Sequence, residues 1–152
     1  MDSAFFPYGN KSVEFLIKRA FFLCLYLKKR GYDSIILACN TLSLIALPFL
    51  KQFFNNINGV FQDFLPYLDK ECLVIASNKT CQAIKQKYKN VCIYDGSKLI
   101  YLIENRLDFS NEITKINECS VGFKYIILAC THFLKLQPKD FNIPIIKNSI
   151  KF

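Results

Sequence analysis

The sequence repeats one short string, and both copies end on a thiol. Residues 33–41 read DSIILACNT and residues 124–132 read KYIILACTH, which puts Cys39 and Cys130 at equivalent places 91 positions apart. An internal repeat of this kind implies two similar units. Each copy is a short apolar run typical of a parallel strand covered on both faces. In parallel sheets, ligand groups gather at the carboxyl ends of the strands. A thiol placed there faces the first amides of the next helix, and their dipole lowers its pKa toward neutrality. Two such thiols across a cleft meet a narrow chemical demand. One removes a proton from a carbon atom while the other delivers a proton to the opposite face, which inverts a stereocentre without a cofactor. Asn40 and Thr41 after the first cysteine, and Thr131 after the second, are neutral donors. They suit a carboxylate and the charge that spreads onto it as the proton leaves. His132, the one histidine of the chain, follows Thr131 and is placed to tune the Cys130 thiol. Two inert strand-end thiols are the plainer alternative, but that leaves the identical repeat and its polar tails unexplained.

The elements that must carry these groups follow from the hydrophobic pattern. Residues 2–12 are irregular, with Pro7 and Gly9 setting a loop. Ser12 caps a helix that runs to about Lys29, and Gly31 stops it. That helix is apolar around most of its girth, so it is buried on more than one side or meets another surface. Residues 34–38 form a strand and residues 40–52 a helix. Asn55, Asn56, Asn58 and Gly59 mark a loop that divides residues 1–57 from residues 58–152. In the second unit Val60 and Phe61 are a weak strand candidate. Strands are expected at 73–76, 91–94, 126–129 and 143–146. Helices are expected at 80–88 and 98–105, with a helix or linker at 112–116. Strands alternating with helices predict an α/β fold with parallel sheets.

Composition narrows the classes. At 52% hydrophobic residues the chain is too apolar to be disordered. Its net charge of +8 comes mostly from lysines that collect where helices end, not from a stripe that would track nucleic acid. The longest uncharged run, residues 34–50, contains Asn40, Thr41 and Ser43 and stops short of a membrane span. Seven cysteines, an odd number with no C-x-x-C pair, argue against a disulfide framework and against a metal site. A reducing cytoplasm follows, with Cys24, Cys72, Cys81, Cys92 and Cys119 as structural or incidental.

The two cysteine motifs, Ala38-Cys39-Asn40-Thr41 and Ala129-Cys130-Thr131-His132, resemble those of the aspartate/glutamate racemase family. Pro7-Tyr8-Gly9-Asn10-Lys11-Ser12 is similar to that family's loop before its second helix, and Val74–Thr80 to its segment with two hydroxyl residues. Leu99–Glu104 resembles the helix whose acid lies near the second cysteine. The resemblance implies two pseudo-symmetric lobes with the site in the cleft between them. It implies Cys39, Cys130 and His132 as catalytic residues. Pro7, Tyr8, Gly9, Asn40, Thr41, Ser77, Thr80 and Thr131 would be the substrate side, with Glu104 behind them. It further implies interconversion of L- and D-glutamate for peptidoglycan synthesis, with no PLP, metal or nucleotide. Aspartate is the alternative substrate. Family members begin with an apolar strand ending in Asp-Ser-Gly, and this chain starts downstream of its equivalent. The first lobe is therefore expected to be incomplete. An inactive fragment, a half that needs another polypeptide, and a homodimer remain open as alternatives.

Overall fold

The computed structural model describes Phe5 and residues 8–148, with Asn10 described in its backbone only. Pro7, expected on the substrate side, lies outside the described residues. A one-turn 3-10 segment at Tyr8–Asn10 leads into α1, Val13–Lys29. Ser12 caps α1 as expected: its backbone is extended and its hydroxyl accepts from the Phe15 amide at 3.1 Å. Gly31 ends the helix at a φ of +86°, a conformation that side chains with a Cβ resist. Leu16, Ala20 and Cys24 form the buried stripe of α1, while Phe22 and Tyr26 remain exposed.

Two separate sheets follow, and every strand pairing is parallel. The first consists of β1, Ile35–Leu37, and β2, Ile57–Gly59, with Ile35 opposite Ile57. The sequence pattern read β2 as a loop. Ile35 and Leu37 turn inward onto α1, but Ile36 is 66% exposed. The expectation that this strand is covered on both faces therefore fails. Among the described residues the sheet has two strands, and nothing lies over its outer face at Ile36.

Between β1 and β2 the expected long helix is broken into α2, Asn40–Ile45, and α3, Leu47–Leu50. Pro48 is the physical cause. It has no amide to donate four residues back, so the Leu44 carbonyl loses its helical partner. The Lys87 ammonium takes that carbonyl instead, at 2.9 Å. Val60–Tyr67 then forms a 3-10 helix where the sequence suggested a weak strand.

The second sheet has the order β4-β3-β5-β6. Its strands are β3, Cys72–Ala76; β4, Cys92–Asp95; β5, Tyr125–Leu128; and β6, Ile145–Lys147. The helices α4, Asn78–Lys87; α5, Ser97–Glu104; and α6, Ser110–Cys119 connect them. β3 is buried along its whole length and serves both faces. Leu73 and Ile75 pack with Ile126, Leu128 and residues of α5 and α6 on one face. Cys72, Val74 and Ala76 pack with Cys81 and Ile84 of α4, and with Leu44 and Phe61, on the other. Each fully buried Ile or Leu here contributes about 1.5–3 kcal/mol relative to exposure. After β3 the chain moves to β4 on one side. After β4 it crosses back to β5 on the other. The carboxyl ends of β3 and β5 are thus the switch point where doubly wound sheets open a crevice for ligands. Among the described residues no helix is long and apolar enough to cross a membrane.

Candidate active site

The switch point delivers the residues that the sequence singled out. Cys39 follows β1 and stands at the N-terminus of α2, while Cys130 follows β5 and stands before the 3-10 turn Thr131–Lys135. The two thiols come from different sheets yet lie close enough that charge on Cys39 disfavours charge on Cys130. Ser77, which follows β3, and Thr80, in the first turn of α4, complete the set with Thr41. Thr41 Oγ1 lies 2.8 Å from Thr80 Oγ1 and 3.4 Å from Ser77 Oγ, and Ser77 Oγ lies 3.0 Å from Thr80 Oγ1. All three side chains are buried. This hydroxyl cluster ties the start of α2 to the start of α4 and so joins the two sheets at their carboxyl ends. Ser77 occupies the cap position of α4 without capping it. Its hydroxyl serves the cluster, and the Asn78 amide is met by Ser97 Oγ at 3.0 Å.

The loop at Tyr8 and Gly9 reaches the same place. A Cβ on Gly9 would lie 3.4 Å from the Ser77 Cβ, so the Gly9 backbone rests against the hydroxyl cluster. Tyr8 packs on the core formed by α1 and β1. Thr131 is half-buried beside Cys130.

Behind Cys130 stands a chain of polar groups. Cys130 Sγ lies 3.2 Å from His132 Nδ1, and His132 Nε2 lies 3.2 Å from Glu104 Oε1. Glu104 Oε1 is buried and makes no aligned hydrogen bond in this arrangement. Burial raises the Glu104 carboxyl above its ordinary value. Burial, with the nearby Lys135 charge, holds His132 below its ordinary value. A neutral imidazole can then accept the Cys130 S–H through Nδ1 and present Nε2–H toward Glu104.

The thiols do not titrate as the strand-end position suggested. Burial pushes Cys130 up to about 12, and the charges of Cys39 and Glu104 push in the same direction against one opposing hydrogen bond from the His132 amide. Burial also raises Cys39, against donors from the Leu42 and Thr41 amides and the Thr41 hydroxyl. The expected helix-terminus effect is present at Cys39 but loses to desolvation. α2 is only six residues long, so its dipole is small. Burial thus favours the protonated form of both sulfurs.

One contributor was missed by sequence reasoning. Asn148, at the end of β6, is buried and its Oδ1 accepts from Asn40 Nδ2 at 2.8 Å. The signal was present, because it is a polar residue directly after an apolar parallel strand, like Cys39 and Cys130. Among the described residues no group of histidines, cysteines and carboxylates is arranged to hold a metal ion.

Comparison with known proteins places this geometry. No family model matches the chain. A curated glutamate racemase from Buchnera aphidicola subsp. Acyrthosiphon pisum (strain 5A) is 31% identical over an alignment of 180 residues, covering 100% of this chain and 66% of that protein. The glutamate racemase of Borreliella burgdorferi is 28% identical over 171 residues, covering 97% of this chain and 63% of that protein. The chain belongs to the aspartate/glutamate racemase family. The crystal structure of glutamate racemase from Campylobacter jejuni superposes with a TM-score of 0.77 at 25% identity, covering 97% of this chain and 68% of that one. This chain therefore spans about two thirds of the length of the racemases it matches.

Proposed function

We propose that the chain carries the two-thiol centre of a cofactor-independent amino-acid racemase that interconverts L- and D-glutamate. The observation that carries this reading is the placement of Cys39 and Cys130. They follow strands of two different sheets, Cys39 with two amides and the Thr41 hydroxyl as donors and Cys130 with the His132 amide and ring. Glutamate is preferred to aspartate because the matched curated relatives are glutamate racemases.

In this reading two lobes, dividing near residue 57, close on the substrate. Asn40, Thr41, Ser77, Thr80 and Thr131, with the Pro7-Tyr8-Gly9 loop, hold it. On substrate binding the Cys39 thiol gives its proton to solvent, the donors aimed at it hold the thiolate, and that thiolate removes the α-proton. Cys130, protonated and hydrogen-bonded to His132, delivers its proton to the opposite face. In the reverse direction the roles exchange, with His132 and Glu104 able to take up charge beside Cys130. The product would supply D-glutamate to peptidoglycan synthesis. Seven unbridged cysteines are consistent with a reducing cytoplasm.

A second reading has a specific observation behind it. Among the described residues β1 pairs on one edge only, and Ile36 lies bare on its outer face. The active unit then includes a further polypeptide segment, or a second copy of the chain, against that sheet.

The test is deuterium incorporation at Cα of L-glutamate in deuterated water, followed by NMR and by chiral chromatography. Wild-type chain should exchange and racemise, and Cys39→Ser and Cys130→Ser should each abolish racemisation, because a hydroxyl is far too weak an acid to replace a thiol. Turnover that survives in the double mutant refutes the two-thiol mechanism. Activity that appears only when a segment completing the β1 edge is fused or added favours the second reading.

A further inference from the structure

Asn148 is used at both ends of its side chain. Its Nδ2 donates to the Val60 carbonyl at 2.8 Å, and its Oδ1 accepts from Asn40 Nδ2 at 2.8 Å. The carbonyl of Val60 has only lone pairs to offer, so it fixes Asn148 one way round. Asn148 then fixes Asn40, because only the Nδ2 end of Asn40 can donate to Asn148 Oδ1. The consequence falls on the other end of Asn40. Its Oδ1 is a buried acceptor without a hydrogen-bond partner among the described residues, on a residue that is 2% exposed and directly follows Cys39 in the chain. A buried acceptor left unmet is costly. A site that keeps one is suited to a donor that arrives with the ligand. Of the groups on glutamate, the two carboxylates accept and only the ammonium donates.

We propose that Asn148 is a positioning residue for substrate: it orients the Asn40 amide so that Oδ1, beside Cys39, accepts from the substrate ammonium. This inference rests on the glutamate reading above. With the amide reversed, Asn40 would offer NH2 to NH3⁺, donor against donor. Asn148 comes from β6, the strand beside β5, so the register of the second sheet sets the amide orientation in the first lobe.

The test uses the full chain and reads protection of Cys39 from iodoacetamide, by peptide mass spectrometry, against rising L-glutamate or glutarate. Glutarate has both carboxylates and no ammonium. In wild type, glutamate should protect at about tenfold lower concentration than glutarate, the effect of one hydrogen bond to a charged group. Asn148→Ala should bring the two ligands together while leaving the glutarate concentration unchanged. Asn148→Asp, which keeps an acceptor for Asn40 Nδ2, should retain most of the preference. A merely structural role would weaken both ligands equally and leave their ratio intact in Asn148→Ala, and that result overturns the proposal. Loss of the ratio in Asn148→Asp to the same extent as in Asn148→Ala also overturns it. If neither ligand protects the wild type, the glutamate reading itself fails and takes this inference with it. The wild-type arm alone identifies that case.

Discussion

Replacing Thr80 by valine tests the hydroxyl cluster that joins the two sheets. The change is nearly isosteric, so it removes one oxygen and opens no cavity. Thr80 is 1% exposed, and its Oγ1 is the nearest cluster partner of both Thr41 and Ser77, at 2.8 and 3.0 Å. Without it Thr41, which is 6% exposed, keeps only the 3.4 Å approach to Ser77 and the polar field of the Cys39 sulfur. A buried hydroxyl left unsatisfied costs about 1–3 kcal/mol. Since the remaining approach is long but not lost, about 2 kcal/mol is the expected loss. For a domain of this size that lowers the melting temperature by about 4–8 °C. Circular dichroism melts and urea titrations measure it, with an unchanged urea slope confirming that the folded state is otherwise intact.

The same reasoning fixes a second result. Removing both Thr41 and Thr80 hydroxyls takes away a donor and its acceptor together, so the Thr41→Val, Thr80→Val double mutant should lose less than the sum of the two single mutants. Ser77 is the most exposed of the three and can turn to water. Additive losses, or a Thr80→Val protein that melts with the wild type, would refute the claim that these hydroxyls satisfy one another.

Other outcomes follow from the remaining contacts. Cys81 and Cys130 are both pushed up from 9.0 to about 12, chiefly by burial, so their protonated forms favour the folded state. The sign is definite: this stability is complete below about pH 9 and is lost as pH rises from there toward about 12. Urea midpoints at mildly and strongly alkaline pH should therefore diverge, and Cys130→Ala should reduce the divergence; an unchanged alkaline loss would contradict it. Ile36→Lys should reduce self-association measured by sedimentation, because it charges the bare face of a two-stranded sheet. Lys87→Met should cost under about 1 kcal/mol, since the ammonium is largely exposed although it meets the Leu44 carbonyl. Adding Pro48→Ala should recover that loss in thermal melts by returning a backbone donor to the same carbonyl.

Much of the site was legible because it follows strand ends. A run of Ile and Leu closing on a polar residue is visible without coordinates, and it picked out Cys39 and Cys130, while Ser77 and Thr80 came from the resemblance of residues 74–80 to a racemase segment. What joins them was not visible. The contact between Thr41 and Thr80 spans 39 positions and that between Asn40 and Asn148 spans 108, and no local pattern encodes either. The misread elements have local causes. Ile57–Gly59 is a three-residue strand containing Asn and Gly, too short and too polar to stand out. Pro48 was visible as a breaker, but the capture of the freed carbonyl by Lys87 depends on α4 passing nearby. The covered-strand pattern at β1 was read correctly as apolar. It failed as a statement about burial because burial of Ile36 requires something against the sheet's outer face.

The thiol titration carries the sharper lesson about mechanism. The repeat makes Cys39 and Cys130 look equivalent, yet the residues after them break the symmetry. Thr41 and Leu42 give the first sulfur two amides and a hydroxyl to draw on. His132 gives the second a single amide and a neutral ring nitrogen. The first set stabilises a thiolate, and the second stabilises a thiol against its acceptor. Burial favours the protonated form of both sulfurs, and a positive charge beside Cys39 would work against it. In the proposed function that role falls to the substrate's own ammonium, whose charge favours the thiolate at the moment the α-proton comes within reach. Occupancy then favours loss of the Cys39 proton to solvent, which is how a pair of raised thiols is compatible with proton transfer.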